Sequence, residues 1–197
     1  MSRLNIFLSI LAIWLLLIPA DSLADGVSDE IKKGLEAYEN KEYRDAISSL
    51  EFAAQQIRQL KAAGSKKALP EPLPGWKAQE AESTAVSEAF MGGFTTATRN
   101  YTKDEARIRI EIVSDSPFIS MITAMIANPF LNQTGEIEVM KIKGHKAILE
   151  WNEDTKKGTL KVVVENKVLV STEGENCQKS DVIAYAEAVN YVNLNIE

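Results

Sequence analysis

The sequence predicts an α+β protein: an N-terminal helical hairpin followed by an antiparallel β-sheet packed with two or three helices. Three observations lead there. Apolar residues recur at three- and four-residue steps through residues 28–62. Within residues 106–113, Ile108, Ile110 and Ile112 alternate with Arg107, Arg109 and Glu111. Short segments rich in β-branched residues, separated by tight-turn signals, fill most of the second half. A composition of 45% hydrophobic and 25% charged residues is that of an ordinary globular chain.

The N-terminus reads as a cleavable signal peptide over residues 1–24. Arg3 supplies the positive charge, Ile6 to Pro19 is apolar apart from Ser9, and Ala20-Asp21-Ser22-Leu23-Ala24 offers small residues at the cleavage positions. The apolar run falls short of the roughly 20 residues a spanning helix needs. A soluble mature protein starting at Asp25, in the periplasm or secreted, with no stable membrane span after cleavage, is the expectation, and an uncleaved membrane anchor is its rival. Cleavage removes one positive and one negative charge, so the net charge stays at −6. That acidity argues against nucleic acid, whose phosphates call for clustered Lys and Arg.

Residues 25–62 read as the helical hairpin. Ser28 is placed to cap the first helix, with Asp29 and Glu30 in its first turn and Ile31, Leu35 and Tyr38 on one face. Asn40-Lys41-Glu42 is the polar break. Tyr43, Ala46, Ile47, Leu50, Ala53, Ala54 and Ile57 repeat at helical spacing after it. Gly34-Leu35-Glu36-Ala37-Tyr38, with Tyr43, Ala46-Ile47, Leu50 and Ala53, resembles one tetratricopeptide repeat. The resemblance implies close antiparallel packing at Gly34, Ala46 and Ala53. It departs from the family at Arg58, where a proline usually ends the unit, and no second copy follows. A lone unit must cover its apolar face with the rest of the protein, a second chain or a partner. Leu35, Tyr38 and Leu50 are the candidate surface residues.

Residues 63–75 read as a Pro-rich linker, stiffened by Pro70, Pro72 and Pro74, and residues 76–197 as an α/β domain with an antiparallel sheet. Gln79 to Phe90 is ambiguous between helix, favoured by Ala and Glu, and a break at Gly92-Gly93. Strands are expected at Phe94–Tyr101 and Ala106–Val113. Ser116-Pro117 then starts a helix from Phe118 to about Ala127. Four strands follow, roughly Glu136–Ile142, Lys146–Asn152, Gly158–Glu165 and Lys167–Glu173, with turns at Gly144, Glu153–Lys157 and Glu165-Asn166. A last helix runs from Asp181 to about Asn190, capped by Ser180. This element order, and Val168-Leu169-Val170-Ser171-Thr172-Glu173-Gly174 leading into a capped amphipathic helix, resembles a group of exported bacterial proteins and, more distantly, the PsbP-like α/β fold. That resemblance implies binding to or assembly with other proteins.

Little in the chain carries catalytic chemistry. His145 is the only histidine, at a turn entering a strand, and there is no G-x-S-x-G elbow. Cys177 is the only cysteine, which excludes an intramolecular disulfide and a multi-thiolate zinc site. An inert, partly buried thiol is the expectation, with an intermolecular disulfide as its rival. Asp29-Glu30, Asp104-Glu105 and Glu153-Asp154 sit at helix starts and turns and lack a calcium-loop pattern. Neither metal nor cofactor is implied. Asn100 and Asn132 begin glycosylation sequons, which matter only in a glycosylating host.

The most unusual segment is Pro117–Leu131, which carries no charge. A helix apolar all round is either buried on both sides or covers a binding site. Phe118, Met121, Ile122 and Met125 are its candidate ligand-facing residues, and Met suits an adaptable surface. The function these features imply is a non-enzymatic periplasmic binding or scaffold protein whose partner is another envelope protein. The alternative is a carrier or sensor of an apolar small molecule or lipid using the Phe118–Ile126 helix. The residues specify neither the partner's identity nor the oligomeric state.

Overall fold

The computed structural model describes residues 21–86, 93–126 and 137–194. The expected leader therefore lies outside the described residues as far as residue 20, as do Gly92, Asn132 and the end of the uncharged Pro117–Leu131 segment. The chain divides into two compact units, residues 1–57 and 58–197.

The first unit is a helix pair. Helix α1 spans Asp21–Glu39 and α2 spans Tyr43–Lys66. The first helix already includes Asp21, so Ser28 lies inside it rather than at its cap. It stops at Lys41, whose φ of 64° is left-handed. Lys41 N–H donates to the Tyr38 carbonyl at 3.0 Å and Glu42 N–H to the Ala37 carbonyl at 2.8 Å. That pair of bonds closes the orphan carbonyls of the last turn. The helices approach at Gly34, where an added Cβ would lie 2.8 Å from Leu50 Cγ and 3.4 Å from the Ala46 carbonyl oxygen. Val27, Ala37, Ala46 and Ala53 are buried.

In the second unit α2 continues to Lys66, and residues 63–75 are not the free connector expected. Ala62, Ala63 and a single Gly64 do not stop a helix. Beyond it Ala68, Leu69 and Trp76 are buried in the main core. The prolines do keep the segment extended, but its carbonyls and amide are tied down. The Pro70 carbonyl accepts from Tyr101 Oη at 2.8 Å and Arg99 Nη1 at 2.9 Å, and Leu73 N–H donates to Tyr185 Oη at 3.3 Å. Arg99 also pairs with Glu71 at 3.0 Å. The units therefore divide between Ile57 and Arg58, inside α2, and not at the prolines.

Among the described residues eight strands form one antiparallel sheet: β1 (Lys77–Ala78), β2 (Glu82–Val86), β3 (Phe94–Lys103), β4 (Ala106–Ser114), β5 (Ile137–Ile142), β6 (His145–Asn152), β7 (Lys157–Val164) and β8 (Val168–Glu175). Their order is β1-β3-β4-β8-β7-β6-β5, with β2 also paired on β3. The ambiguous stretch after Gln79 is thus an edge strand over Glu82–Val86, where Ser-Thr-Ala-Val suits the ladder better than a helix. Tight turns join β5 to β6 through Lys143 and Gly144, φ 48° and 88°, and β7 to β8 through Glu165 and Asn166, φ 49° and 57°. Two successive positive φ values match the right-handed strand twist.

One face of the sheet is dry. Ile108, Ile110, Ile112, Leu149, Leu160, Val162, Val164 and Val170 pack against helix α4 (Lys179–Ala188) through Val182, Tyr185 and Ala186. Helix α4 is capped by Gln178, not Ser180. The Asp181 carboxylate accepts from Gln178 N–H at 2.9 Å, so the acid three residues into the helix holds its start. Gly174 lets this turn sit on β8: a Cβ there would lie 2.4 Å from Val182 Cγ2 and 2.6 Å from Cys177 Sγ. The opposite face carries helix α3 (Phe118–Ile126), packed through Ile119, Ile122 and Ile126 on Ile148, Val163 and Leu169.

Candidate functional site

In the helix pair the candidate residues form an exposed apolar surface. Ile31, Leu35 and Tyr38 of α1 and Tyr43, Ile47, Leu50 and Ile57 of α2 are all exposed, Tyr38 at 61% and Ile47 at 58%. On each helix they lie about 70–80° around the axis from the small residues at the crossing. The two stripes fall on one side of the hairpin, joined by the Tyr38 and Tyr43 rings, whose centroids are 6.0 Å apart. Leu50 bridges this surface and the crossing by touching Gly34.

In the second unit, α3 is neither buried all round nor exposed all round. Ile119 and Ile126 are buried and Ile122 is partly so, whereas Phe118, Met121 and Met125 are exposed, Met121 at 64%. A one-sided sheet contact accounts for this: a nine-residue helix presents only its i, i+3, i+7 line to the strands.

Beside α3 the sheet carries an open groove that sequence reading does not find. Asn100, Arg109, Glu173, Thr159, Glu150 and Ile137 are successive cross-strand partners in β3, β4, β8, β7, β6 and β5. Directly paired residues of antiparallel strands point to the same face, and Ile137 packs in the cluster under α3. Two clefts lie along this row. One, of about 530 Å³, is lined by Asn100, Arg107, Arg109, Lys157, Thr159, Glu173 and Glu175 among others. The second, of about 480 Å³, is lined by Met125, Ile137, Glu150, Trp151 and Asn152. They share Lys157, Gly158 and Thr159. Glu175 is held by Arg107 at 3.6 Å and Lys157 at 3.5 Å, and Glu150 by Lys161 at 3.4 Å. Alternation marks Arg107 and Arg109 as polar-face residues, but only long-range register sets them beside Glu173 and Glu175.

The remaining candidates are placed as follows. His145 is the first residue of β6, half-buried, with its ring 5.2 Å from that of Tyr191. Cys177 is buried under the start of α4. Burial, reinforced by the Asp181 carboxylate, pushes its thiol pKa up to about 11, so it is protonated and a poor nucleophile at neutral pH. Asp29 and Glu30 pair with Lys32 and Lys33 one turn on, and Glu153 with Lys156. Among the described residues no group of three or more His, Cys, Asp or Glu could hold a metal ion. No described helix is long and apolar enough to cross a membrane. Asn100 lies in β3, its amide donating to Gln79 Oε1 at 3.1 Å. Compared with known protein families, curated proteins and solved structures, the chain matches none.

Proposed function

We propose that the chain is exported and acts in the cell envelope as a non-enzymatic binding or scaffold protein that holds a partner on its helical hairpin. The observation that carries this reading is the apolar surface of Ile31, Leu35, Tyr38, Tyr43, Ile47 and Leu50, left exposed while the small residues Ala46 and Ala53 are consumed in the helix crossing. Large side chains on the outside and alanine at the crossing are the reverse of what a free-standing hairpin needs, and contiguous apolar patches of this kind mark interaction sites. Crosslinked capture from the native envelope tests it with wild type beside Leu35→Asp and Ile47→Asp. Loss of one defined crosslinked partner at unchanged thermal stability is the expected result. Equal capture by all three proteins would remove the hairpin from the function.

A second reading is carried by α3. Phe118, Met121 and Met125 stand exposed beside the sheet groove, with Met125 lining it, which favours a carrier or sensor of an apolar small molecule or lipid. Displacement of a fluorescent lipid from the exported protein separates the two readings, since a pure scaffold shows no displaceable binding.

A further inference from the structure

We infer that the sheet groove takes a single-chain zwitterionic amphiphile, its phosphate-and-ammonium head at Arg109 and Glu173 and its acyl chain running towards Met125 and Ile137. This inference rests on the second reading above and specifies its ligand. The two ends of the row of paired residues differ, with Thr159 and Glu150 between them. At the β3–β4–β8 end stand Asn100, Arg109 and Glu173, and at the β5 end Ile137 lies beneath Met125. From β4 to β5 the row crosses four inter-strand spacings, about 19 Å in all, room for an extended chain.

The head end is complementary to a zwitterion rather than to a simple anion. Arg107 and Lys157 are both engaged by Glu175. Arg109 has only a loose approach to Glu111 at 3.8 Å, with its side chain 49% exposed. Its direct cross-strand partner Glu173 is exposed and, among the described residues, makes no ion pair. Paired Cα atoms of neighbouring antiparallel strands lie about 5 Å apart, comparable with the separation of the two charges in a phosphocholine or phosphoethanolamine group. A guanidinium donates two parallel hydrogen bonds to phosphate oxygens, and the Glu173 carboxylate faces the ammonium. At the other end Met125 supplies a flexible thioether that accommodates chains of different length. Between the two ends Glu150 is paired with Lys161 at 3.4 Å, which balances its charge.

Calorimetric titration of the exported protein with lyso-myristoylphosphatidylcholine, monomyristoylglycerol and free phosphocholine tests this. Lyso-myristoylphosphatidylcholine should bind at one site, and monomyristoylglycerol about tenfold more weakly. Arg109→Ala and Glu173→Gln should bring the first ligand down to the level of the second and leave the second unchanged. Met125→Asp should weaken both. All three side chains are exposed, so the variants keep the fold. Equal binding of both lipids, unaffected at Arg109 and Glu173, would overturn the head-group assignment and leave the apolar-ligand reading standing. Phosphocholine binding as tightly as the lysolipid would overturn the chain-binding half of the groove. Failure of both lipids to bind would end the inference and the reading beneath it.

Discussion

The helix pair and the sheet unit bury opposite kinds of residue. The sheet's dry face buries Ile108, Ile110, Ile112, Leu149, Leu160 and Val162 almost completely, while the described residues of the hairpin bury small side chains, Val27, Ala37, Ala46, Ala53 and Ala62 among them, and leave Ile31, Leu35, Tyr38, Tyr43, Ile47 and Leu50 exposed. A fully buried Leu or Ile contributes roughly 1.5–3 kcal/mol, an alanine methyl much less. The sheet unit therefore holds its shape by its own interior. The hairpin leaves its largest hydrophobic residues exposed, and that contrast is what supports the proposal that it holds a partner.

The largest effect that could break this contrast is core truncation. Leu160→Ala should cost about 2–5 kcal/mol by the cavity it leaves, whereas Ile47→Ala should stay within about 0.5 kcal/mol. Urea denaturation of both variants measures the difference. An Ile47→Ala cost equal to that of Leu160→Ala would show that the hairpin face is structural.

The glycines sharpen it. Gly174→Ala drives a methyl group into Val182 and the Cys177 sulfur, both fixed in the core, and should cost about 1–3 kcal/mol. Gly34→Ala meets chiefly the branched end of Leu50, which is exposed and free to rotate. It also gains helix propensity of about 1 kcal/mol. Near-neutral stability of Gly34→Ala beside a clear loss for Gly174→Ala, measured by thermal melting, is the expected outcome.

Smaller effects follow from the helix stop and the buried thiol. Lys41→Gly should raise the stability of the first unit by about 0.5–1 kcal/mol, read by hydrogen exchange in α1 and α2, because a left-handed non-glycine residue is strained. Cys177 should resist alkylation at neutral pH until denaturant opens the sheet unit. Rapid labelling of the native protein would place α4's start among the loosely held regions.

The smallest effect lies at Arg99 and Glu71. The guanidinium, by hydrogen bonding and then by its charge, holds the Glu71 carboxyl below its ordinary value of 4.5. A depressed carboxyl adds stability above its unfolded value and loses it as pH falls through the folded one. Glu71→Gln should therefore lower stability slightly at neutral pH, by no more than an exposed pair contributes, and leave the acid end unchanged, so that the acid side of the profile flattens.

Much of the fold is written in local pattern. The alternation at Ile108, Ile110 and Ile112 specifies β4 and its buried face, and Glu165-Asn166 and Gly144 sit in the turns they signal. The α+β class and the helix pair followed by a sheet follow from such signals. What local pattern does not carry is register. Nothing near Arg109 announces Glu173, and nothing near Pro70 announces Tyr101, so the groove and the docked proline segment emerge only when distant strands pair. The prolines set the backbone of residues 70–74 correctly, but Leu69 and Trp76 decide where that backbone goes, and their burial depends on a core assembled elsewhere. The uncharged α3 is legible as an oddity, while the division of its faces depends on Ile148 and Val163 in strands that come later.

The strand order also sets a timetable. The β8 strand is the last to be synthesised, yet it lies in the middle of the sheet between β4 and β7. After it, the Asn190 N–H closes on the Ala68 carbonyl at 3.0 Å, joining the end of the second unit to its beginning. While a growing chain still lacks β8, the two halves of the sheet have no common strand, and neither can finish its core. Folding of this unit therefore waits until β8 has been synthesised, and then runs through long-range pairings, the slow kind. During that interval the apolar residues of β4 on one side and of β6 and β7 on the other have no finished core to enter.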